Sequence, residues 1–274
     1  SYCITRFARG RITSYPISEI IQDVCFAVNQ GCKEIQITAQ DTASYGIDIG
    51  SNLGELLLNI CRIGNSFRIR VGMMNPSSAL RNLKNIIPSY DDSKVYKFLH
   101  LPVQSGDNEI LKKMNRNYTV NDFLKIVKRF RDKYPEITLS TDIIVGFPTE
   151  TNEHFEHTVN LLKKIKPDIV NITRYSARPF TKAKNMRGRL PTEIVKKRSK
   201  LLTGICNELS KEKNKDYVGK KYTILVTEKG KNETFVGRSE NYKPIVVNEK
   251  VNLGSFVDVE IIKASSTYLV GKLI

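Results

Sequence analysis

No C-x-x-C pair occurs among the five cysteines, which stand at positions 3, 25, 32, 61 and 206. An odd count without paired spacing makes no disulfide framework, so a reducing cytosol, and hence a cytoplasmic protein, is expected. No apolar run approaches the ~18 residues of a membrane span, so no membrane partner is expected. No signal-peptide pattern opens the chain either. Acidic side chains are in short supply: 28 against 44 lysines and arginines, for a net charge of +16. Hydrophobic residues are not scarce, at 40% of 274, which is ordinary for a globular protein of two domains.

The positive charge is unevenly spread. Residues 1–180 carry 24 basic and 18 acidic side chains, and residues 216–274 carry 9 and 7. The intervening 35 residues, 181–215, carry 11 and 3. Half of the excess therefore lies in a short stretch, and a polyanion is its natural partner. A solvated lysine-rich helix, placed there for solubility, is the competing explanation.

Apolar periodicity alternates along the first two thirds of the chain. Helical spacing at Ile20, Ile21, Val24, Cys25 and Val28 precedes a strand pattern at Glu34–Ala39. A helix at Leu53–Ile63 is followed by a strand at Arg68–Gly72, and helical positions Leu80, Leu83 and Ile87 by a strand at Val95–Leu101. Phe123, Ile126, Val127 and Phe130 mark a helix before a strand at Ile137–Val145. Phe155, Val159 and Leu162 mark another before Asp168–Thr173. Such alternation predicts an α/β fold with a parallel sheet and right-handed crossovers, and the even spacing favours a partial barrel. The chain opens on a loop leading into a helix, so the first strand of the barrel is expected to be missing. A long helix is predicted over 192–214. Five short β runs then follow, at Tyr222–Thr227, Thr234–Gly237, Pro244–Val247, Phe256–Ile262 and Tyr268–Leu273. They predict a small all-β barrel, with a domain boundary between 215 and 216.

In a parallel barrel, chemistry gathers on loops beyond the C-terminal ends of the strands. Those loops carry Gln40-Asp41-Thr42, Met73-Met74-Asn75-Pro76, His100 through Gly106, Gly146 through Glu150, and Arg174 through Pro179. Several polar groups converging on one mouth make a default site. Taken singly each has a plainer reading. His100 suits a satisfied histidine at a strand end, Gly146 and Pro148 suit turn formers, and Gln104-Ser105-Gly106 suits a helix cap. Cys25, Cys32, Cys61 and Cys206 sit in apolar patterns, as core thiols do. Cys3 differs: it lies near Arg6, Arg9 and Arg11 with no acidic residue before Glu19, which favours a thiolate or metal ligand.

These segments together resemble the methylthiotransferase family of radical S-adenosylmethionine (SAM) enzymes, over essentially the whole chain. Ser1 through Arg11 (SYCITRFARGR) is similar to the end of that family's C-x3-C-x2-C cluster motif. KFLHLPVQSG at Lys97–Gly106, STDIIVGFPTET at Ser140–Thr151 and YSARPFTKA at Tyr175–Ala183 match further family signatures. Residues 216–274, with Gly237-Arg238-Ser239, resemble the TRAM domain, a small RNA-binding barrel. Gln40 through Gly46 and Gly72 through Pro76 are similar to the branch that methylthiolates C2 of N6-threonylcarbamoyladenosine at tRNA position 37. Action on isopentenyl-adenosine tRNA or on a ribosomal protein, and a non-catalytic RNA-binding role, are the alternatives.

The resemblance implies the following expectations. Cys3 is a cluster ligand, and Tyr2, Gln40, His100, Gln104, Ser140, Asp142, Gly146 and Pro148 line the SAM site. Arg6, Arg9, Arg11, Arg178, Lys182, Lys184, Arg187, Arg189 and Arg238 meet RNA, and tRNA is the partner. The intact enzyme holds two [4Fe–4S] clusters. Since Cys3 alone of the motif cysteines is present, and a thiolate-held cluster needs its full set, cluster and SAM are expected to be absent from this fragment, and the fragment inactive alone.

Overall fold

A computed structural model describes residue 3 and residues 8–274 of the chain. Its first part alternates helices and parallel strands: α1 (Ile17–Asn29), β1 (Glu34–Ile37), α2 (Leu53–Cys61), β2 (Arg68–Val71), α3 (Pro76–Ser89), β3 (Phe98–His100), α4 (Asn108–Lys113), α5 (Val120–Lys133), β4 (Thr138–Val145), α6 (Asn152–Ile165) and β5 (Ile169–Arg174). The helix starts follow from local chemistry. Asn75 accepts from the Ser77 N–H ahead of Pro76 at the first turn of α3. Thr119 with Asp122, and Thr151 with His154, form reciprocal capping boxes on α5 and α6, satisfying amide groups that a helix start leaves unpaired.

The strands pair in chain order. β1 lies parallel to β2, and β3, β4 and β5 form a parallel trio. A bridge from Ile69 to Val95 joins the two groups. Neither group closes on itself, so the parallel strands form an open arc. Its convex face is packed by the helices: Phe123, Ile126, Val127 and Phe130 of α5 are buried beside Leu139, Ile143 and Val145 of β4. Each such side chain contributes about 1.5–3 kcal/mol of burial. β3 is shorter than its apolar run suggests, because Val95 and Tyr96 spend their backbone on a bridge to Ile69. Between β3 and α5 the apolar periodicity marks no helix, yet Asp107, next to the Gln104-Ser105-Gly106 cap candidate, caps α4 through the Glu109 and Ile110 amides.

α7 (Thr192–Lys215) is 24 residues long and runs back along β5. It passes from Gly146, beside which Val195 packs, to Asp168, whose carbonyl accepts from Ser210 Oγ. That stretch of helix covers about 22 Å. Beyond it, β6 (Lys221–Lys229), β7 (Phe235–Arg238), β8 (Pro244–Val247), β9 (Phe256–Ala264) and β10 (Leu269–Leu273) close into a barrel in the order β10-β8-β7-β6-β9. Ile224, Ile245, Val247, Val259, Ile261 and Leu269 fill it. No helix among the described residues is long and apolar enough to cross a membrane.

The small barrel docks on the N-terminal ends of all five parallel strands. Tyr242 places its hydroxyl 3.3 Å from Glu34 at the start of β1 and its ring 4.7 Å from that of Tyr96. Arg68 at the start of β2 lies over the Phe256 ring. The Lys97 N–H donates to the Glu240 carbonyl, and Lys220 pairs with Glu136 at 3.0 Å. Lys243 Nζ is 2.7 Å from Asp168 just before β5. The opposite rim is left to the loops that follow the strands.

Candidate functional site at the open barrel mouth

The loops at that rim are tied side by side. The Thr42 N–H donates to Met73 O at 2.9 Å, and the Asn75 N–H donates to Asp41 Oδ1 at 2.9 Å. The Met74 N–H reaches His100 O, and the Leu101 N–H reaches Ser140 O. Burial, only partly offset by hydrogen bonds from Ser78 and the Asn75 amide, holds the Asp41 carboxyl above its usual value.

Strand alternation then puts polar side chains on the concave face. Asp142 of β4 pairs in register with Asn171 of β5. His100 Nε2 lies 3.1 Å from Asp142 Oδ1, and Asn171 Nδ2 donates to the same oxygen at 2.8 Å. The His100 and Asp142 side chains keep 18% and 25% of their surface open, so the trio is held yet reachable. Burial alone raises an aspartate's pKa. Here hydrogen bonds from His100 and Asn171, with the nearby charge of Arg116, outweigh it and hold Asp142 below the usual carboxylate value. An ionised carboxylate with one oxygen committed can accept from a hydroxyl or ammonium group of a ligand.

Deeper in the concave face, Arg70 of β2 stacks over the Phe98 ring at 5.2 Å and the Tyr242 ring at 5.3 Å. It donates to Gln36 Oε1 at 3.3 Å, while its Nε is buried without a hydrogen-bond partner. Arg70 thus bridges β3 and the small barrel through the Phe98 and Tyr242 rings.

Of the residues that sequence reasoning assigned to the mouth, His100, Ser140 and Asp142 come together on adjacent strands, with Ser140 buried to 3% exposure. Gln104 lies at the edge of β4. Its backbone, at φ +72°, bonds Asp142 O and the Ile144 N–H. Gln40 is exposed beyond β1. Gly146 and Pro148 form a buried turn beneath α7. The Gly146 N–H donates to the Glu150 carboxylate, which pairs with Arg198 at 2.5 Å. Cys3 is exposed. Tyr2 and Arg6 lie outside the described residues. Arg9, Arg11, Arg178, Lys182, Lys184, Arg187 and Arg189 are exposed. Arg238 stands apart on β7, paired with Glu228 at 2.9 Å and stacked on Tyr242 at 4.9 Å. Asn171 and Arg70 were missed. Strict alternation in β5, where Asn171 falls between the half-buried Val170 and Ile172, is the signal that points to the first.

An open parallel α/β barrel whose polar groups gather at the strands' C-terminal rim, with a small β-barrel beneath, is the architecture of a barrel enzyme carrying an accessory domain. Comparison with known proteins gives the family. The model of the radical SAM superfamily matches residues 1–162, and that of the TRAM domain matches residues 215–274. The chain belongs to the radical SAM superfamily. It is 50% identical over 273 residues to a probable threonylcarbamoyladenosine tRNA methylthiotransferase of Pyrococcus abyssi, covering 100% of this chain and 64% of that protein. It is 40% identical over 277 residues to the threonylcarbamoyladenosine tRNA methylthiotransferase of Drosophila melanogaster, covering 100% of this chain and 50% of that one. The chain thus spans less than two thirds of the length of these relatives. Among solved structures, coproporphyrinogen III oxidase of Escherichia coli, a radical SAM enzyme, superposes with a TM-score of 0.55 at 14% identity, over 94% of this chain and 64% of that one. That likeness concerns the fold alone.

Proposed function

We propose that residues 1–215 form the catalytic barrel, and residues 216–274 the RNA-binding module, of a methylthiotransferase that acts on N6-threonylcarbamoyladenosine at tRNA position 37. The observation that carries this is identity running along the whole chain, at 50% to the Pyrococcus abyssi relative and 40% to the Drosophila melanogaster one. The net charge of +16 suits an RNA substrate, because phosphate contacts supply sequence-independent affinity.

The small-molecule partner in this reading is SAM, and the mouth fits a ligand of that kind. Asp142, kept ionised by its neighbours, offers an acceptor to a ribose hydroxyl or an ammonium group. His100 and Asn171 fix its orientation and present further donors. Bound with an iron–sulfur cluster, SAM supplies one-electron chemistry at a substrate carbon. The described residues do not by themselves fit the cluster. No three histidine, cysteine or acidic side chains among them converge to hold a metal ion, and Cys3 is one thiol where such a cluster takes several. What the chain itself does is orient the small ligand at the rim and hold the RNA.

The finer expectation, that the whole enzyme uses two clusters while these residues alone retain none, is checked by iron content of the purified chain; a full cluster's iron would overturn it. The substrate is tested by expressing the reading frame that contains this chain in cells lacking the activity, then analysing tRNA nucleosides by mass spectrometry. A methylthio group on threonylcarbamoyladenosine is expected. The same group on isopentenyl-adenosine, or on a ribosomal protein with tRNA unchanged, would refute the assignment.

A further inference from the structure

Phe180 is the most exposed of the large apolar side chains among the described residues, at 85%. Its backbone lies at φ +60°, a conformation unfavourable to any residue with a Cβ and natural to glycine. Its surroundings are firmly anchored. Thr181 is 5% exposed, and its hydroxyl donates to Arg178 O at 2.8 Å. Ala183 is fully buried in an apolar cluster with Ile110, Met114 and Phe147. The Lys184 N–H donates to Thr181 O at 3.1 Å, and the Thr149 N–H donates to Gly188 O at 2.7 Å. The loop is thus fixed on the C-terminal side of Phe180 and through Arg178 on the other. It turns a benzyl ring into water on a strained backbone, where folding alone favours burial of the ring or a glycine.

The setting of that ring is cationic. Arg178, Lys182, Lys184, Arg187 and Arg189 are all exposed on the same loop. Tyr175 follows β5 directly and packs its ring 5.4 Å from that of Phe147, so the loop rises from the rim that carries His100, Asp142 and Asn171. An aromatic face among guanidinium and ammonium groups is how proteins hold unpaired nucleotides: the ring stacks a base and the cations meet the flanking phosphates.

We infer that Phe180 is a stacking platform for an unpaired base next to the nucleotide that enters the barrel mouth. The five cations around it grip the flanking phosphates. This inference rests on the RNA-substrate reading above and adds to it one contact that reads the absence of base pairing.

The test is equilibrium binding of the full chain to two RNAs, an anticodon stem-loop hairpin and a blunt duplex of equal length, across a salt series. Wild type, Phe180→Gly, Phe180→Tyr and Arg178→Ala are compared. Phe180→Gly is expected to weaken hairpin binding about tenfold, as loss of one base–aromatic stack does, with duplex binding and the salt slope unchanged. Phe180→Tyr retains hairpin affinity. Arg178→Ala weakens both RNAs and lowers the salt slope by about one phosphate contact. Because glycine accepts this backbone conformation, Phe180→Gly melts no lower than wild type, which excludes misfolding as the cause. Hairpin binding by Phe180→Gly equal to wild type would overturn the stacking role and leave the RNA reading intact. A wild-type chain without affinity for either RNA would overturn both.

Discussion

Replacing Asp168 with asparagine should loosen the small barrel from the sheet. Asp168 lies just before β5 with a side chain 1% exposed, and its two oxygens sit 2.7 Å from Lys213 Nζ and 2.7 Å from Lys243 Nζ. Oδ2 also accepts from the Leu139 N–H at 2.9 Å. Lys243 is 5% exposed and can shed its charge to no other carboxylate in that cluster, its further bond going to Asn214 Oδ1 at 2.8 Å. An amide keeps one acceptor and turns its own donors toward an ammonium, leaving a buried cation uncompensated. Such a loss costs about 3–5 kcal/mol. Lys213, at 26% exposure, can swing to water, which favours the lower end. At about 3 kcal/mol the melting midpoint falls by about 6–12 °C for a chain of this size. Thermal melts by far-ultraviolet circular dichroism, with limited proteolysis across 214–221, read the effect. Pairing Asp168→Leu with Lys243→Met should recover much of the loss, because apolar replacement of a whole buried pair is near neutral. The pH dependence has a definite sign. Burial, which raises a carboxyl's pKa, is overcome by Lys243 and Lys213, so the folded value lies below the unfolded 3.8. The stabilisation is therefore complete above that value and is lost as pH falls through the folded one. The same burial draws the Lys213 ammonium below its usual value, so part of the attraction offsets desolvation. An Asp168→Asn protein melting within about 1 °C of wild type, well under the range worked from size, would refute this account.

Three further outcomes follow from the rim. Asp142→Ala removes the acceptor shared by His100 and Asn171; in the cluster-loaded product of the whole reading frame, SAM affinity by calorimetric titration should fall about tenfold or more, as when a charge-assisted hydrogen bond is lost, while the melting midpoint stays nearly constant. Since the folded Asp142 carboxyl lies below 3.8, the part of that affinity that depends on this carboxylate should be lost only in acid, and an Asp142→Ala protein with the same acid limb as wild type would contradict it. Gly146→Ala places a Cβ 2.5 Å from Val195 Cγ2 at φ +79°, so the turn under α7 should lose about 2 kcal/mol or more to overpacking and strain, seen as a lower urea midpoint. Arg198→Ala leaves Glu150, which burial already holds above its usual value despite the guanidinium, without its partner at 2.5 Å; a loss of about 3 kcal/mol or more is expected, with Glu150 then titrating higher still.

How much was legible from sequence depends on the range of the interaction. The elements were readable because their signals are local: period 3.6 in Phe123, Ile126, Val127 and Phe130, period 2 across β4, and turn residues between the short strands. The parallel order followed, since strand–helix alternation admits few other connections. At the mouth, His100 was placed by loop position and Asp142 by the family resemblance, but their contact and Asn171 were not. They meet only through the register that pairs Asp142 with Asn171, and a register is fixed by the whole sheet. Gly146 reads in sequence like a ligand-facing turn, and it also packs against Val195. Its distance from Val195 along the chain hides the reason for the glycine. Arg238, assigned to RNA with the small barrel's Gly237-Arg238-Ser239 run, lies on that barrel, whose strands start with β6 at Lys221, against Glu228 and Tyr242. Charge composition counts cations and says nothing about which end of the sheet they occupy. That end is decided by α7, whose Ser210 and Lys213 bind Asp168 at the base of β5. These contacts carry the barrel about 22 Å from the rim, so RNA meeting both must run the height of the sheet.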